Sequence, residues 1–338
     1  MEQHLIARSI IDENAKSPVA LARIISMSGF GGRTSGEFLA LGSRLKLGSL
    51  MFGSMDREIE EAARHLVATS SKGILKNIDL GDRDAVAAGL ACGGSARVAL
   101  QPINGILLES ILAISKRDVV GVVSQIADDS VVTLGMAQLN EKARFDDDFQ
   151  KTPAHAKTSE RLVELVTHRR SVSTTETIEG LELHFEVFSP PSTAAIIGDS
   201  ELARAIAAQL SLLNITSRIT DTVETAMDII SGFGANDALI VLSHDHAIGV
   251  PLCAKLLEIN GAYVGALGSR HTQSIRNEAL IQLGVAPSKV SMIYGPIGLD
   301  IGAKTPAETA VAIASEFLAH RSGRAPSSLV NGDGPING

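Results

Sequence analysis

The residues able to do chemistry in this chain gather in short loops that follow apolar runs. Ser243-His244-Asp245-His246 places two imidazoles and a carboxylate after Ile240-Val241-Leu242. That set suits proton relay or metal binding, and equally a polar sheet rim; no metal ligand is assigned here. Gly268-Ser269-Arg270-His271 follows Gly265-Ala266-Leu267. Its glycine, hydroxyl and guanidinium ahead of a helix could hold an anion. Gly295-Pro296-Ile297-Gly298-Leu299-Asp300-Ile301-Gly302 is a rigid, apolar loop with one acid. The helix after it opens on a capping box of Thr305, Pro306 and Glu308.

Ile196-Ile197-Gly198-Asp199-Ser200-Glu201 stands where a dinucleotide fingerprint would, with Asp221 at the distance of a ribose-binding acid. The fingerprint is damaged. Ser200 and Ala203 replace its second and third glycines, and two acids flank a turn that should attract phosphate. NAD(P) is a candidate ligand of this turn, and Asp221 predicts NAD over NADP. An oxidoreductase on this domain would use His244 or His271 as its acid or base. In the first half, Arg33 lies in the glycine-rich stretch 28–36 and could clamp an anion, although a plain turn explains the glycines as well. Cys92-Gly93-Gly94, with Arg97 nearby, holds either a thiol of lowered pKa or a small buried hydrophobe.

Two kinds of scaffold position these loops. From residue 193 the chain alternates regularly, with strands expected at 194–197, 216–220, 238–243, 262–267 and 290–294. Helices are expected at 201–213, 222–232, 251–259, 272–283 and 306–320, the last two closed by Gly284 and Gly323. This is the pattern of a doubly wound parallel sheet, so the loops at 243–246, 268–271 and 295–302 converge at its carboxyl edge. The fold class is α/β: an N-terminal α+β domain, then a Rossmann-like doubly wound parallel sheet. The expected divisions are 1–136 for the first domain, 137–191 for a polar connecting segment with one strand, 192–324 for the Rossmann-like domain and 325–338 for a tail. Ser189-Pro190-Pro191-Ser192 marks the boundary.

Composition narrows the function classes. The 338 residues carry a net charge of −8, which argues against a nucleic-acid partner. Aromatics make up 3% and Trp is absent, so small aliphatic residues must build the cores. Two cysteines give no disulfide framework and suit a reducing compartment. No apolar run approaches the roughly 18 residues of a membrane span, and a soluble cytoplasmic protein is expected.

The loops at 240–245, 265–272 and 295–303 together resemble the XdhC/CoxI family, accessory proteins of molybdenum hydroxylases. Pro18-Val19-Ala20-Leu21-Ala22, Gly48-Ser49 and Gly89-Leu90-Ala91-Cys92-Gly93-Gly94 are similar to that family's first domain. The tail Gly334-Pro335-Ile336 also resembles its ending. The resemblance implies a cytoplasmic, homodimeric factor that binds molybdenum cofactor (molybdopterin). Such a factor protects the cofactor while a cysteine desulfurase supplies its sulfido ligand, then passes it to the apo-hydroxylase of xanthine dehydrogenase or CO dehydrogenase type. Taking the residue readings and the resemblance together, the candidate cofactor-binding residues are Arg33, Gly93, Gly94, Gly198, Asp221, Gly268, Ser269, Arg270, Pro296, Gly298 and Asp300, with Cys92 as a candidate reactive thiol. The chain departs from the family at Ser54, where a Cys is usual, at Asp199-Ser200-Glu201 in place of Ala-Gly-His, and at Asn337 in place of the terminal His. Two other readings stand beside this one: the NAD(P) oxidoreductase, and an interaction protein that kept the fold without its ligand.

Overall fold

The protein was described from a computed structural model covering residues 3–29, 37–69, 72–87 and 93–331. It divides into two units. One takes the chain up to Val166 together with Arg170–Pro190; the other takes Thr167–Arg169 and the chain from Pro191 onward.

The first unit runs α1 (Gln3–Asn14), β1 (Ala20–Gly29), β2 (Phe38–Leu41), β3 (Lys46–Gly48), α2 (Asp56–Thr69), β4 (Gly73–Leu80), α3 (Asp82–Ala87), β5 (Gly94–Pro102), α4 (Gly105–Ser115), β6 (Val120–Ala127), β7 (Ser130–Gln138), β8 (Arg144–Phe145), α5 (His155–Thr167), β9 (Val172–Ile178) and β10 (Leu181–Phe188). The strands form one antiparallel sheet in the order β3-β2-β1-β5-β4-β7-β6-β10-β9, with β8 on β7. Period-2 alternation sorts the faces of β1. Ala20, Ala22 and Ile24 pack with Ile59, Ala63 and Leu66 of α2, whereas Leu21 packs with Ile10 of α1 and Leu107 and Ile111 of α4.

The sheet curls until β10 faces β1 and β5, and polar side chains fill the gap. Arg23 of β1 donates to Glu186 of β10 and to Gln101 of β5. Arg97 of β5 meets Glu182 of β10 at 2.5 Å. His184 of β10 is buried, with Nδ1 2.9 Å from the Thr175 hydroxyl and Nε2 3.4 Å from that of Ser173, both on β9. Strand β9 and helix α5 correct the expectation of a polar 137–191 segment with a single strand. β9 (VSTTETI) sets Ser173, Thr175 and Thr177 opposite Glu186, His184 and Glu182 of β10, so its face toward them is polar and it carries little hydrophobic signal.

The second unit runs β11 (Thr193–Ile197), α6 (Glu201–Leu212), β12 (Thr216–Thr220), α7 (Val223–Ile230), β13 (Ala238–Val241), α8 (His246–Leu256), β14 (Tyr263–Ala266), α9 (Arg270–Gln282), α10 (Pro287–Val290) and α11 (Pro306–Ser322). Its sheet is parallel, in the order β12-β11-β13-β14, as the doubly wound pattern requires. Ile206 and Leu210 of α6 and Ile313 and Phe317 of α11 cover one face. Ala226 and Ile230 of α7, Leu252 and Leu256 of α8 and Leu280 of α9 cover the other. The capping box of Thr305 and Glu308 opens α11, and Gly323 closes it with φ +67°. Two element boundaries differ from expectation. The strand expected at 290–294 shrinks to one parallel bridge between Tyr294 and Gly265, because Pro287 starts α10 and draws Val290 into the core. Helix α8 starts at His246, five residues before Pro251, because Asp245 caps it.

Helix α11 is fastened to the sheet by polar contacts. The Tyr263 hydroxyl donates to Glu316 at 2.6 Å, and the Tyr294 hydroxyl donates to His320 Nδ1 at 3.1 Å. His320 Nε2 donates in turn to the Gly261 carbonyl at 2.8 Å. The rings of Tyr263 and Tyr294 stack with centroids 4.9 Å apart.

Two stability predictions follow from these buried polar groups. Glu186→Ala strands the Arg23 guanidinium and should cost on the order of 3–5 kcal/mol. Pairing it with Arg23→Met should recover part of that loss in urea denaturation; strictly additive losses would deny the coupling. Burial holds His184 and His320 below the ordinary histidine value of 6.5. Below pH 6.5 the unfolded chain therefore takes up protons that the folded chain refuses. Their contribution is complete above that pH and is lost as the pH falls through the folded-state values. The melting temperature should drop between pH 7 and 5, and His320→Gln should flatten the drop; an unchanged slope in that variant would rule His320 out.

Candidate functional site

The candidate site is the carboxyl edge of the parallel sheet. Strand order reverses between β11 and β13, and such switch points open a crevice. Gly198 follows β11 with φ +110°, and a Cβ there would lie 3.4 Å from the Ser243 amide nitrogen. The turn after it is closed on itself. Ser200 caps α6 by accepting from the Ala203 amide at 3.1 Å, and Asp199 pairs with Arg204 on the surface. An amide that could meet a pyrophosphate is engaged, and carboxylates stand around it, so nothing in this turn favours NAD(P). Asp221 is exposed just beyond β12.

Strand β13 ends at Val241, so Ser243-His244-Asp245 is the connection to α8 and His246 its first residue, rather than the strand end that the sequence suggested. The Ser243 hydroxyl accepts from the Asp245 amide at 3.1 Å, and Asp245 accepts from the Ala247 amide at 2.8 Å. His244 is exposed, whereas His246 is half-buried with Nδ1 unpartnered. Among the described residues no group of three or more His, Cys, Asp or Glu is placed to hold a metal ion.

After β14, Gly268 has φ +133°, and a Cβ there would meet the Thr272 side chain at 2.9 Å. Ser269 caps α9 by accepting from the Thr272 amide at 3.2 Å. Arg270 and His271 follow, both exposed. Beneath this loop lie two polar side chains that the sequence reading passed over. Gln273 Nε2 donates to the Ala266 carbonyl at 3.0 Å, and Arg276 donates to the Leu267 carbonyl at 3.2 Å and to Gln273. A Cβ on Gly295 would come within 2.5 Å of Gln273 Oε1, so this pair seats the 268–271 and 295–302 loops together. Their signal was a Gln and an Arg three residues apart on the buried stripe of a helix. Nearby, burial pushes the Cys253 thiol up to about 12, which makes it inert.

The 295–302 loop lies along α11. Ile297 is buried and its amide donates to the Ala266 carbonyl at 3.1 Å. The Gly298 amide donates to Glu316 at 2.9 Å, and Leu299 donates to the Ala312 carbonyl at 3.3 Å. Gly298 has φ +100°, and a Cβ there would be 3.3 Å from Ile313. Pro296 and Asp300 are exposed.

The sheet edge thus gathers Gly198, His244, Gly268, Ser269, Arg270, His271, Pro296, Gly298 and Asp300, with Asp221 at its far strand. Gly93 and Gly94 belong to the first unit. Gly94 pairs with Gly29 at the end of β1, and the Gly93 amide donates to Asp82 at 2.8 Å. Ser54, which stands for the family's usual Cys, donates to the Met51 carbonyl at 2.7 Å. Arg33 and Cys92 lie outside the described residues. No helix of the described residues is long and apolar enough to cross a membrane.

Comparison with known proteins agrees with the resemblance. The chain is 29% identical over 149 residues to the molybdenum cofactor insertion chaperone PaoD of Escherichia coli (strain K12), covering 44% of this chain and 46% of that protein. It is 26% identical over 141 residues to the uncharacterized protein YqeB of the same organism, covering 36% of this chain and 26% of that one. The matches therefore span about half or less of these curated relatives. A crystal structure described as a xanthine dehydrogenase from Bacillus halodurans aligns over 98% of both chains with a TM-score of 0.45 and 17% identity. The family model for the XdhC Rossmann domain matches residues 195–317. The matched stretch coincides with the parallel-sheet domain, whose edge loops carry the resemblance to the same family.

Proposed function

We propose that the protein carries molybdenum cofactor and helps to install it in a molybdenum hydroxylase. The observation that carries this reading is the 29% identity to a chaperone named for inserting that cofactor, in a chain whose parallel-sheet domain matches the XdhC Rossmann domain model. The site geometry supports a carrier over a catalyst. His244, Arg270, His271 and Asp300 are exposed, and no side-chain hydrogen bond among the described residues links any of them to a second group that would orient it. Many catalytic bases are oriented by such a partner.

Charge along the edge sorts the cargo. Glu201 and Asp221 stand at the β11 and β12 end, where Asp199 is paired with Arg204, and Asp245 stands beyond β13. At the β14 end Arg270 has no carboxylate partner among the described residues. A phosphate is repelled from the first end and drawn to the second. In this reading Arg270, with Gly268 and Ser269, takes the phosphate of the cargo, while Gly198, Pro296, Gly298 and Asp300 line the rim. Arg33, Gly93 and Gly94 are further proposed contacts in the first unit. Cys92 is the proposed thiol for a sulfur step fed by a cysteine desulfurase, before transfer to an apo-hydroxylase of xanthine dehydrogenase or CO dehydrogenase type. The proposed working form is a cytoplasmic homodimer.

The test is to co-express the protein with cofactor synthesis, purify it, oxidise it and measure pterin fluorescence. Wild type should carry pterin. Arg270→Ala should carry about tenfold less or lower, the worth of one charge-assisted hydrogen bond of about 1.5–3 kcal/mol. Wild-type protein without pterin, alongside a loaded PaoD control, would overturn the reading.

A further inference from the structure

A cavity of about 640 Å³ opens on the first unit, lined by the turn that joins β2 to β3 and by the helix α2. That is within the ~300–1,000 Å³ of small-molecule sites. All of its residues belong to that unit, whereas the edge loops of the parallel sheet belong to the other.

The turn is firmly held. Glu13, near the end of α1, accepts from the Arg44 amide at 3.1 Å, from the Ser43 hydroxyl at 3.1 Å and from that of Ser17 at 3.2 Å. The Gly42 amide donates to the Leu45 carbonyl at 2.9 Å, and a Cβ on Gly42 would meet the Glu13 side chain at 2.9 Å. Glu13 is therefore spent on fixing the backbone that carries Arg44. On the α2 side, Glu60 takes the Lys46 ammonium at 2.7 Å, and the same ammonium reaches Asp56 at 3.1 Å. Arg64, one turn further along α2, approaches Glu60 only to 4.0 Å. The Arg44 guanidinium makes no ion pair among the described residues. The lining thus sets Arg44, Lys46 and Arg64 against the single carboxylate of Glu60, in a chain whose net charge is −8. An anion is drawn to such a place.

The rest of the lining restricts the anion. Leu41, Leu45, Ala63 and Val67 supply apolar surface, which a bare ion leaves unused. Among the described residues no aromatic ring and no amide side chain lines the groove, so a flat heterocycle finds neither a stacking face nor an amide to read its edge. Guanidinium forks meet carboxylate and phosphate oxygens in the same bidentate way. We propose that this groove binds a short aliphatic chain ending in an oxyanion, with the chain on Leu41, Leu45 and Val67 and the oxyanion taken by Arg44 and Arg64. Two sources share that chemistry: an alkyl carboxylate and an alkyl phosphate.

The experiment is calorimetry on the full chain at low salt, with octanoate, octyl phosphate, octanol and acetate. Octanoate or octyl phosphate should bind, and the tighter of the two names the source. Octanol lacks the charge and acetate lacks the chain, and each should bind about tenfold more weakly or worse. Arg44→Met and Arg64→Met keep the apolar stems and should each weaken the tighter ligand about threefold, the worth of one exposed ion pair, and together about tenfold. Both side chains are exposed, so the melting temperature should stay unchanged. Ala68→Trp, at an exposed position of the lining, narrows the groove with both arginines in place and should weaken binding by about tenfold or more. Octanol or acetate binding as tightly as the octyl anions, binding unchanged in the double arginine variant or in Ala68→Trp, or no binding of either octyl anion would overturn the site. The cofactor-carrying role proposed above depends on none of these results.

Discussion

One carboxylate holds the second unit's business end in place. Glu316 Oε2 receives the hydroxyl of Tyr263 from the sheet and the amide of Gly298 from the long glycine loop. A helix, a strand and a loop therefore meet on a single oxygen. The oxygen is nearly buried, so neither donor can be lost without leaving an uncompensated charge. Burial and the adjacent carboxylate also push the Tyr263 hydroxyl well above the ordinary tyrosine range, which keeps its proton in the contact. The second tie, from Tyr294 through His320 to Gly261, runs parallel to the first and fixes the same helix one turn later. With α11 so fixed, the 295–302 backbone has little freedom, and its glycines serve close approach: Gly298 lies against Ile313, and Gly295 against Gln273.

The first unit depends on a different device. Its sheet curls around an interior that buries Arg23, Gln101, His184 and Glu186 beside the apolar side chains of Ile25, Leu75, Ala99, Ile126 and Val131. Such a network is a weak source of net stability, because desolvation offsets the attraction. It is a strong source of uniqueness, because a shifted register would leave guanidinium and carboxylate unpaired. The apolar shell of α1, α2 and α4 packs outside that network and supplies the hydrophobic driving force.

Much of this was legible in the residues themselves. Thr305-Pro306-Ala307-Glu308 states a helix start, and Gly323 states its end; both act as read. The strand–helix alternation after residue 193 implied a parallel sheet, and parallel strands must deliver their following loops to one edge. What stayed hidden had physical causes. Pro251 reads as a helix start, yet it lies inside α8, where its missing N–H removes a bond and the flanking turns carry the helix through. The apolar run before Tyr294 reads as a strand, yet Pro287 diverts its first residue into a helical turn. Gln273, Arg276 and Glu316 are polar residues on buried helix stripes. A periodicity argument treats such residues as defects, whereas they are the contacts that seat the loops.

The helix caps around the edge have one more implication. Ser200, Thr222, Asp245, Ser269 and Thr305 each accept an amide of the helix that follows. Each cap satisfies one of the amides left open at a helix start, so the rim presents the remaining amides together with exposed side chains such as Arg270. An anion held mainly by an exposed guanidinium is screened by salt, so its hold there weakens as ionic strength rises.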